Sequence, residues 1–305
     1  MTISYRRIGS GKLRSNLSPM LRLFTNSTTH VDPSDDHQAK NEMSLIKCWQ
    51  VDAFTNRPFG GNPAAVCWLE VEADAQWMQS VAAEMNLSET AFVRPLNDGL
   101  ELRWFTPTVE VDLCGHATLA TAHALWSSKT VSQGQPLRFH TRSGLLTCTQ
   151  DGDFIELDFP ATPPVEVPIP DGLAAALGAV PIYLGKSRFD YLAVFESAET
   201  VRSLKPDFQK LEQFPVRGVI VSAPAADDSF DFVSRFFAPN VGVDEDPVCG
   251  SAHCCLTPYW AQRLGKTQLM AHQISTRGGV LRLKLKNDRV ILGGQAVTVW
   301  RGELL

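Results

Sequence analysis

At 305 residues, 44% hydrophobic and 20% charged, the chain has an ordinary globular composition and enough length for two cores. A net charge of −5 and a pI near 5.8 argue against nucleic acid or an anionic membrane as the main partner, and no apolar run approaches the ~18 residues of a membrane span. Seven scattered cysteines, an odd number, suit a reducing cytoplasm better than a disulfide framework.

Residues 1–42 differ from all that follows. Up to Phe24 they carry Arg6, Arg7, Lys12, Arg14 and Arg22 with no acid, and Thr25 to Glu42 is polar and aperiodic. This reads as a disordered extension, either a basic transit peptide or a dispensable stretch ahead of a natural start at Met43. The simpler reading is the second.

From Leu45 to Phe54 the residues alternate as in a strand, and Pro58-Phe59-Gly60-Gly61-Asn62-Pro63 is a breaker-rich turn. Ala64 to Leu69 predicts a second strand. Asp74 opens a helix that places Trp77, Met78, Val81, Ala82 and Met85 on one face. Strands follow at Thr90 to Arg94 and Glu101 to Phe105, then an Ala-rich apolar helix from Cys114 to Trp126. Arg138 to Gln150 and Phe154 to Phe159 read as a hairpin. Five prolines between Pro160 and Pro170 mark an interdomain linker. The second half predicts strands at Tyr191 to Phe195, Gly218 to Ser222 and Asp231 to Phe237. A helix from Gly250 to Leu264 and paired strands at Gly279 to Lys286 and Asp288 to Leu292 complete it.

The halves repeat one another. Residues 103–112 read Arg-Trp-Phe-Thr-Pro-Thr-Val-Glu-Val-Asp and residues 235–244 read Arg-Phe-Phe-Ala-Pro-Asn-Val-Gly-Val-Asp, with six of ten positions identical. Each runs into a Cys-Gly, at Cys114-Gly115 and Cys249-Gly250, and Thr141-Arg142-Ser143-Gly144 is echoed by Thr276-Arg277-Gly278-Gly279. A single three-residue insertion, before Cys249, separates the two registers. The pattern predicts an α+β chain of two similar domains, 43–160 and 161–305, each a mixed sheet around one long apolar helix. Such helices lack a polar face and are buried. Their N-termini carry free N–H groups and partial positive charge, so two of them meeting at a cleft suit a carboxylate or phosphate.

Candidate chemistry gathers there. Cys114 and Cys249 sit where a helix start lowers a thiol's pKa, although a small buried residue at a crowded turn fits each equally well. Differences between the copies say more. His116 follows Gly115, whereas Ser251 follows Gly250, and the insertion supplies Glu245-Asp246-Pro247. His116 is an acid or base suited to neutral pH; Asp246 is a second titrating group, or a simple helix-entry carboxylate. Glu89 directly precedes an apolar strand, and the matching segment Val219-Ile220-Val221-Ser222 has no acid, which marks Glu89 for general acid–base work. Cys249, His253, Cys254 and Cys255 lie close in sequence but lack the second pair of a metal motif, and no phosphate-binding glycine loop is present. Neither a metal nor another cofactor is expected.

The strings Gly61-Asn62-Pro63-Ala64-Ala65-Val66, Asn86-Leu87-Ser88-Glu89-Thr90-Ala91-Phe92-Val93, Asp112-Leu113-Cys114-Gly115-His116-Ala117-Thr118 and Glu245-Asp246-Pro247-Val248-Cys249-Gly250-Ser251-Ala252 together resemble the PhzF family. This is the phenazine-biosynthesis isomerase-like branch of the diaminopimelate epimerase superfamily, and the match runs from Met43 to Leu305. The resemblance implies two pseudo-symmetric diaminopimelate-epimerase-like domains, the last strand packing on the first, with the active site in the cleft between them. It implies a homodimer, a small carboxylate substrate and cofactor-free isomerisation. The family's catalytic glutamate, histidine and aspartate fall on Glu89, His116 and Asp246, its substrate-contacting serine on Ser251, and its substrate-holding amides on Gly115 and Gly250. Both helix-start positions are cysteine here, as in the racemase branch, where they act as paired bases. The alternatives are therefore a two-cysteine racemase or epimerase of an amino or hydroxy acid, and a binding scaffold that has kept the cleft.

Overall fold

A computed structural model describes residues 45–304; the extension expected over 1–42 lies outside the described residues. Strand β1 (Ile46–Ala53) pairs antiparallel with β2 (Asn62–Trp68) across the breaker-rich turn. Helix α1 (Ala75–Met85) starts where Asp74 accepts from the N–H groups of Gln76 and Trp77, and ends at Asn86 in the left-handed region. Strand β3 (Glu89–Leu96) lies parallel to β2 and antiparallel to β4 (Gly99–Phe105), which is followed by the short β5 (Glu110–Val111). After α2 (Gly115–Ser127) the chain forms a meander of β6 (Leu137–Thr141), β7 (Gly144–Asp151) and β8 (Phe154–Pro160), with β6 parallel to β4. The single arm expected over 138–150 is two strands, because Gly144, at φ +100°, turns the chain between them.

The second repeat follows β9 (Val165–Glu166), which lies inside the proline-rich stretch, and α3 (Leu173–Leu177). It contains β10 (Tyr183–Lys186), β11 (Tyr191–Val194), α4 (Ala198–Ser203), α5 (Phe208–Leu211), β12 (Val219–Pro224) and β13 (Phe232–Phe237). Then come α6 (Gly250–Leu264), β14 (Gln268–Gln273), β15 (Gly279–Lys286) and β16 (Arg289–Gly294). The pairing from β10 to β16 (antiparallel, parallel, antiparallel, parallel, antiparallel, antiparallel) is the pairing of β1, β2, β3, β4, β6, β7 and β8 over again. The equivalent strands β8 and β16 pair with each other and join the two repeats into one continuous sheet. The last strand, β17 (Ala296–Leu304), returns to the first repeat and pairs with β1.

Both long helices are buried around most of their circumference, as their composition requires. In α2 only Gly115, His123 and Ser127 escape burial, and the alanines let strands approach closely. Its buried Thr118 and Thr121 hydroxyls donate to the carbonyls of Cys114 and Ala117, so they carry no unmet polar atom into the core. In α6, Pro258 cannot donate to the Cys254 carbonyl, and that carbonyl instead accepts from the Thr162 N–H after β8. The repeated arginines do equivalent work ahead of the two helices. Arg103 makes a bidentate pair with Glu110 at 2.8 and 2.9 Å, and Arg235 makes one with Glu245 at the same two distances. Glu245 comes from the three-residue insertion; it supplies the acid that Gly242 cannot.

Candidate active site

Cys114 and Cys249 are the N-cap residues of α2 and α6, both in extended conformation, and neither uses its side chain as a cap. The first-turn amides are thus left to other partners. The two helix ends converge. A Cβ added to Gly115 or to Gly250 would lie 3.9 Å from the other glycine's Cα, so the positive ends of both dipoles point into one seam.

Glu89, first residue of β3, reaches that seam from one side. Its Oε2 lies 3.1 Å from His116 Nε2, yet the alignment makes no hydrogen bond and both atoms are buried without one. The other ring nitrogen, Nδ1, is 3.5 Å from Cys114 Sγ and 3.3 Å from Asn62 Nδ2. The Asn62 amide has two protons and two nearer acceptors, Asp246 Oδ1 at 2.8 Å and the Val248 carbonyl at 3.0 Å. The imidazole therefore stands between a thiol and a carboxylate, one at each nitrogen. Burial works against a charged His116, but Cys114 and Glu89 outweigh it and hold its pKa well above the ordinary value. Burial, reinforced by Glu89, pushes the Cys114 thiol up.

Asp246 is tied in from the second repeat. Its Oδ1 also accepts from the Val248 N–H, and its carbonyl accepts from Gln273 Nε2 at 2.6 Å. Gln273, fully buried, returns its Oε1 to the Cys249 N–H at 3.0 Å. Burial raises the Asp246 pKa, with His116 opposing. At the start of α6, Ser251 Oγ lies 3.2 Å from Cys249 Sγ and accepts from Arg217 Nη2 at 2.9 Å. Burial also pushes the Cys249 thiol far up.

The structure brings Glu89, His116 and Cys114 together, sets Asn62 beside His116 with its amide donating to Asp246, and groups Cys249 with Ser251. Asn62, Gln273, Arg217 and Asp190, a buried acid that accepts from Arg217 at 2.9 and 2.6 Å, were not among the expected site residues. Asn62 lies in a turn whose Gly and Pro neighbours explain it by conformation alone, and the other three meet their partners only through long-range folding.

Glu89, Cys114 and His116 each offer one donor atom within 4.8 Å of the others, a grouping that a metal ion can use. Here the thiol and the carboxylate flank opposite ring nitrogens, and a neutral thiol is a poor ligand, so the arrangement suits proton transfer along the ring better. His253, Cys254 and Cys255 are core residues of α6. His253 Nδ1 is 2.7 Å from the Cys249 carbonyl, and burial pushes both thiols up to about 12.

A family model described as "Phenazine biosynthesis-like protein" matches residues 51–302. An uncharacterized isomerase of Halalkalibacterium halodurans is 56% identical over 264 residues, covering 86% of this chain and 100% of that protein. A crystal structure of a phenazine biosynthesis protein of the PhzF family from Enterococcus faecalis superimposes with a TM-score of 0.82 at 45% identity, covering 86% of this chain and 99% of the other. A hydroxyproline epimerase from Agrobacterium vitis, at 11% identity and a TM-score of 0.56 over 85% of this chain and 92% of that one, shares the fold alone.

Proposed function

The chain belongs to the phenazine biosynthesis-like (PhzF) family, and on that premise we propose that it is a cofactor-independent isomerase that moves a proton on a small carboxylate substrate. The observation that carries this reading is the Glu89–His116 pair. Two buried polar atoms 3.1 Å apart, neither hydrogen-bonded, face each other beside two converging helix ends. An unmet buried polar atom is costly, and a ligand that engages both offsets that cost.

A substrate carboxylate rests on the Gly115 and Gly250 amides, with Ser251 contacting the substrate beside them, stabilised by both helix dipoles. Glu89 takes a proton from carbon and returns it at another position, and protonated His116 stabilises the negative charge that develops between the two steps. Asp246, held by Asn62, faces the site from the other repeat. Side chains alone supply every proton, so the scheme calls for no cofactor. We infer further that the enzyme works as a homodimer in the cytoplasm; seven free thiols support that compartment.

Two-thiol racemisation fits less well, because a base must be deprotonated and burial keeps both thiols neutral. The test is proton–deuterium exchange in D₂O, followed by NMR, on small amino and hydroxy carboxylates and cyclic unsaturated acids. Wild type is expected to exchange a carbon-bound proton, and Glu89→Gln to lose that exchange by about 10³-fold or more while binding the same acid. Exchange that survives Glu89→Gln but stops in Cys114→Ala and Cys249→Ala transfers the role to the thiols.

A further inference from the structure

The two helix starts are built alike but armed with opposite charges. Thr90 pairs with Phe105 and Val219 with Phe237, and both phenylalanines are the third residue of the repeated string. That register makes Arg217 the counterpart of Ser88 and Gly218 the counterpart of Glu89. On the first repeat the residue after Cys-Gly, His116, meets an acid. On the second, the equivalent Ser251 meets a guanidinium.

Arg217 is held for binding rather than for structure alone. Buried Asp190 takes one edge of the guanidinium, Nε at 2.9 Å and Nη2 at 2.6 Å. Phe189 and Phe236 stand 5.3 Å from its centre and fix its plane. Because Nη2 also donates to Ser251 Oγ, the serine's own proton is free to point elsewhere. Among the described residues nothing accepts from Nη1. Arg217 also forms part of a surface groove of about 570 Å³ with Arg188, Phe189, Phe214 and Asn240, with Glu212 as its one acid.

We propose that Arg217 is an anion-binding residue and that the substrate is a small diacid, one carboxylate on the helix amides and a second on Arg217 and Ser251. This rests on the proposed function and narrows it. With Nε and Nη2 committed to Asp190 and Ser251, the guanidinium presents its Nη1 N–H groups in a fixed plane, and these with the Ser251 hydroxyl suit the two oxygens of a carboxylate. Phe189 and Phe214 give the groove beside Arg217 apolar surface that suits a flat ring. The arrangement orients the substrate as well: the second carboxylate binds on the side of the seam opposite Glu89, which leaves the reacting carbon facing Glu89 and His116.

The test is isothermal titration of the full chain with benzoate and isophthalate, which share a ring and differ by one carboxylate. Wild type is expected to bind isophthalate at least tenfold more tightly, and Arg217→Met to bring the two within twofold. Arg217→Met leaves Asp190 buried without its partner, so the titration is repeated on Arg217→Gln combined with Asp190→Asn, which removes both charges. Equal affinities in wild type, no isophthalate binding, or a preference that survives in the double variant overturns the proposal. Glu89→Gln is expected to keep the tenfold preference. A failed exchange experiment therefore leaves this result standing, and a lost preference leaves the Glu89 role untouched.

Discussion

Glu89 helps hold His116 in its charged form, and this pair is where the site is most open to measurement. His116 is buried at 6% exposure, which by itself favours the neutral ring; its raised pKa comes from its neighbours. A histidine whose folded value is raised contributes stability in full below its unfolded value near 6.5, and that contribution is lost as pH rises through the raised folded value. Glu89→Gln removes one of the two neighbours that raise the His116 pKa and leaves Cys114 alone against burial. The ring-proton NMR titration of His116 is therefore expected above 6.5 in wild type and lower in the variant than in wild type, and an unmoved midpoint sinks this account. Both residues were legible in the sequence because the duplication supplies a control: Glu89 and His116 are acids or bases where the other copy has none. Asn62 and Arg217 offered no such contrast. Asparagine beside glycine and proline reads as a turn residue, and Arg217 gains meaning only when folding brings Asp190 and Ser251 against it.

The two central helices were the most legible elements, since a helix with no polar face has only a core to occupy. Their polar interruptions needed the structure. His253 on α6 is fully buried, stacks near Phe232 and holds the Cys249 carbonyl at 2.7 Å; burial lowers its pKa to about 4. A fall from 6.5 to about 4 means that the unfolded chain binds a proton the folded chain refuses. About 3 kcal/mol of stability is thus lost as pH drops through that window. Urea unfolding at pH 7 and pH 4.5 is expected to show this loss in wild type and a loss about 2 kcal/mol smaller in His253→Asn, other groups cancelling between the two proteins. An equal loss in both refutes it. Some short elements escaped sequence reading. The helices α3, α4 and α5 are four to six residues long, too short for periodicity to register.

At the scale of the whole molecule, duplication explains the architecture, and one broken symmetry holds the site in place. The repeated arginines Arg142 and Arg277 are equivalent in sequence but not in use. Arg142 is half exposed and pairs locally with Glu110. Arg277 crosses to the other repeat and donates to buried Asp52 and to the carbonyls of Gly60 and Gly61, each at 2.8 Å. Asp52 in turn accepts from the Phe59 N–H at 2.7 Å. The loop so gripped contains Phe54 and Phe59 at positive φ, a conformation that costs a non-glycine residue about 1–3 kcal/mol and persists only where the surroundings impose it. It leads directly into Asn62, which donates to Asp246 and lies beside His116. Arg277 thus joins the repeats and fixes a residue at the seam between them. Arg277→Met leaves Asp52 charged, buried and unpaired and is expected to cost about 3–5 kcal/mol in urea unfolding. Combining it with Asp52→Asn should recover part of that stability, since no buried charge then remains. It should not recover proton exchange, because the loop has lost the grip that positions Asn62. A double variant with both stability and exchange restored, or a single variant that loses less than about 1 kcal/mol, shows instead that the loop holds its strained course unaided and that the seam is set by the helices alone.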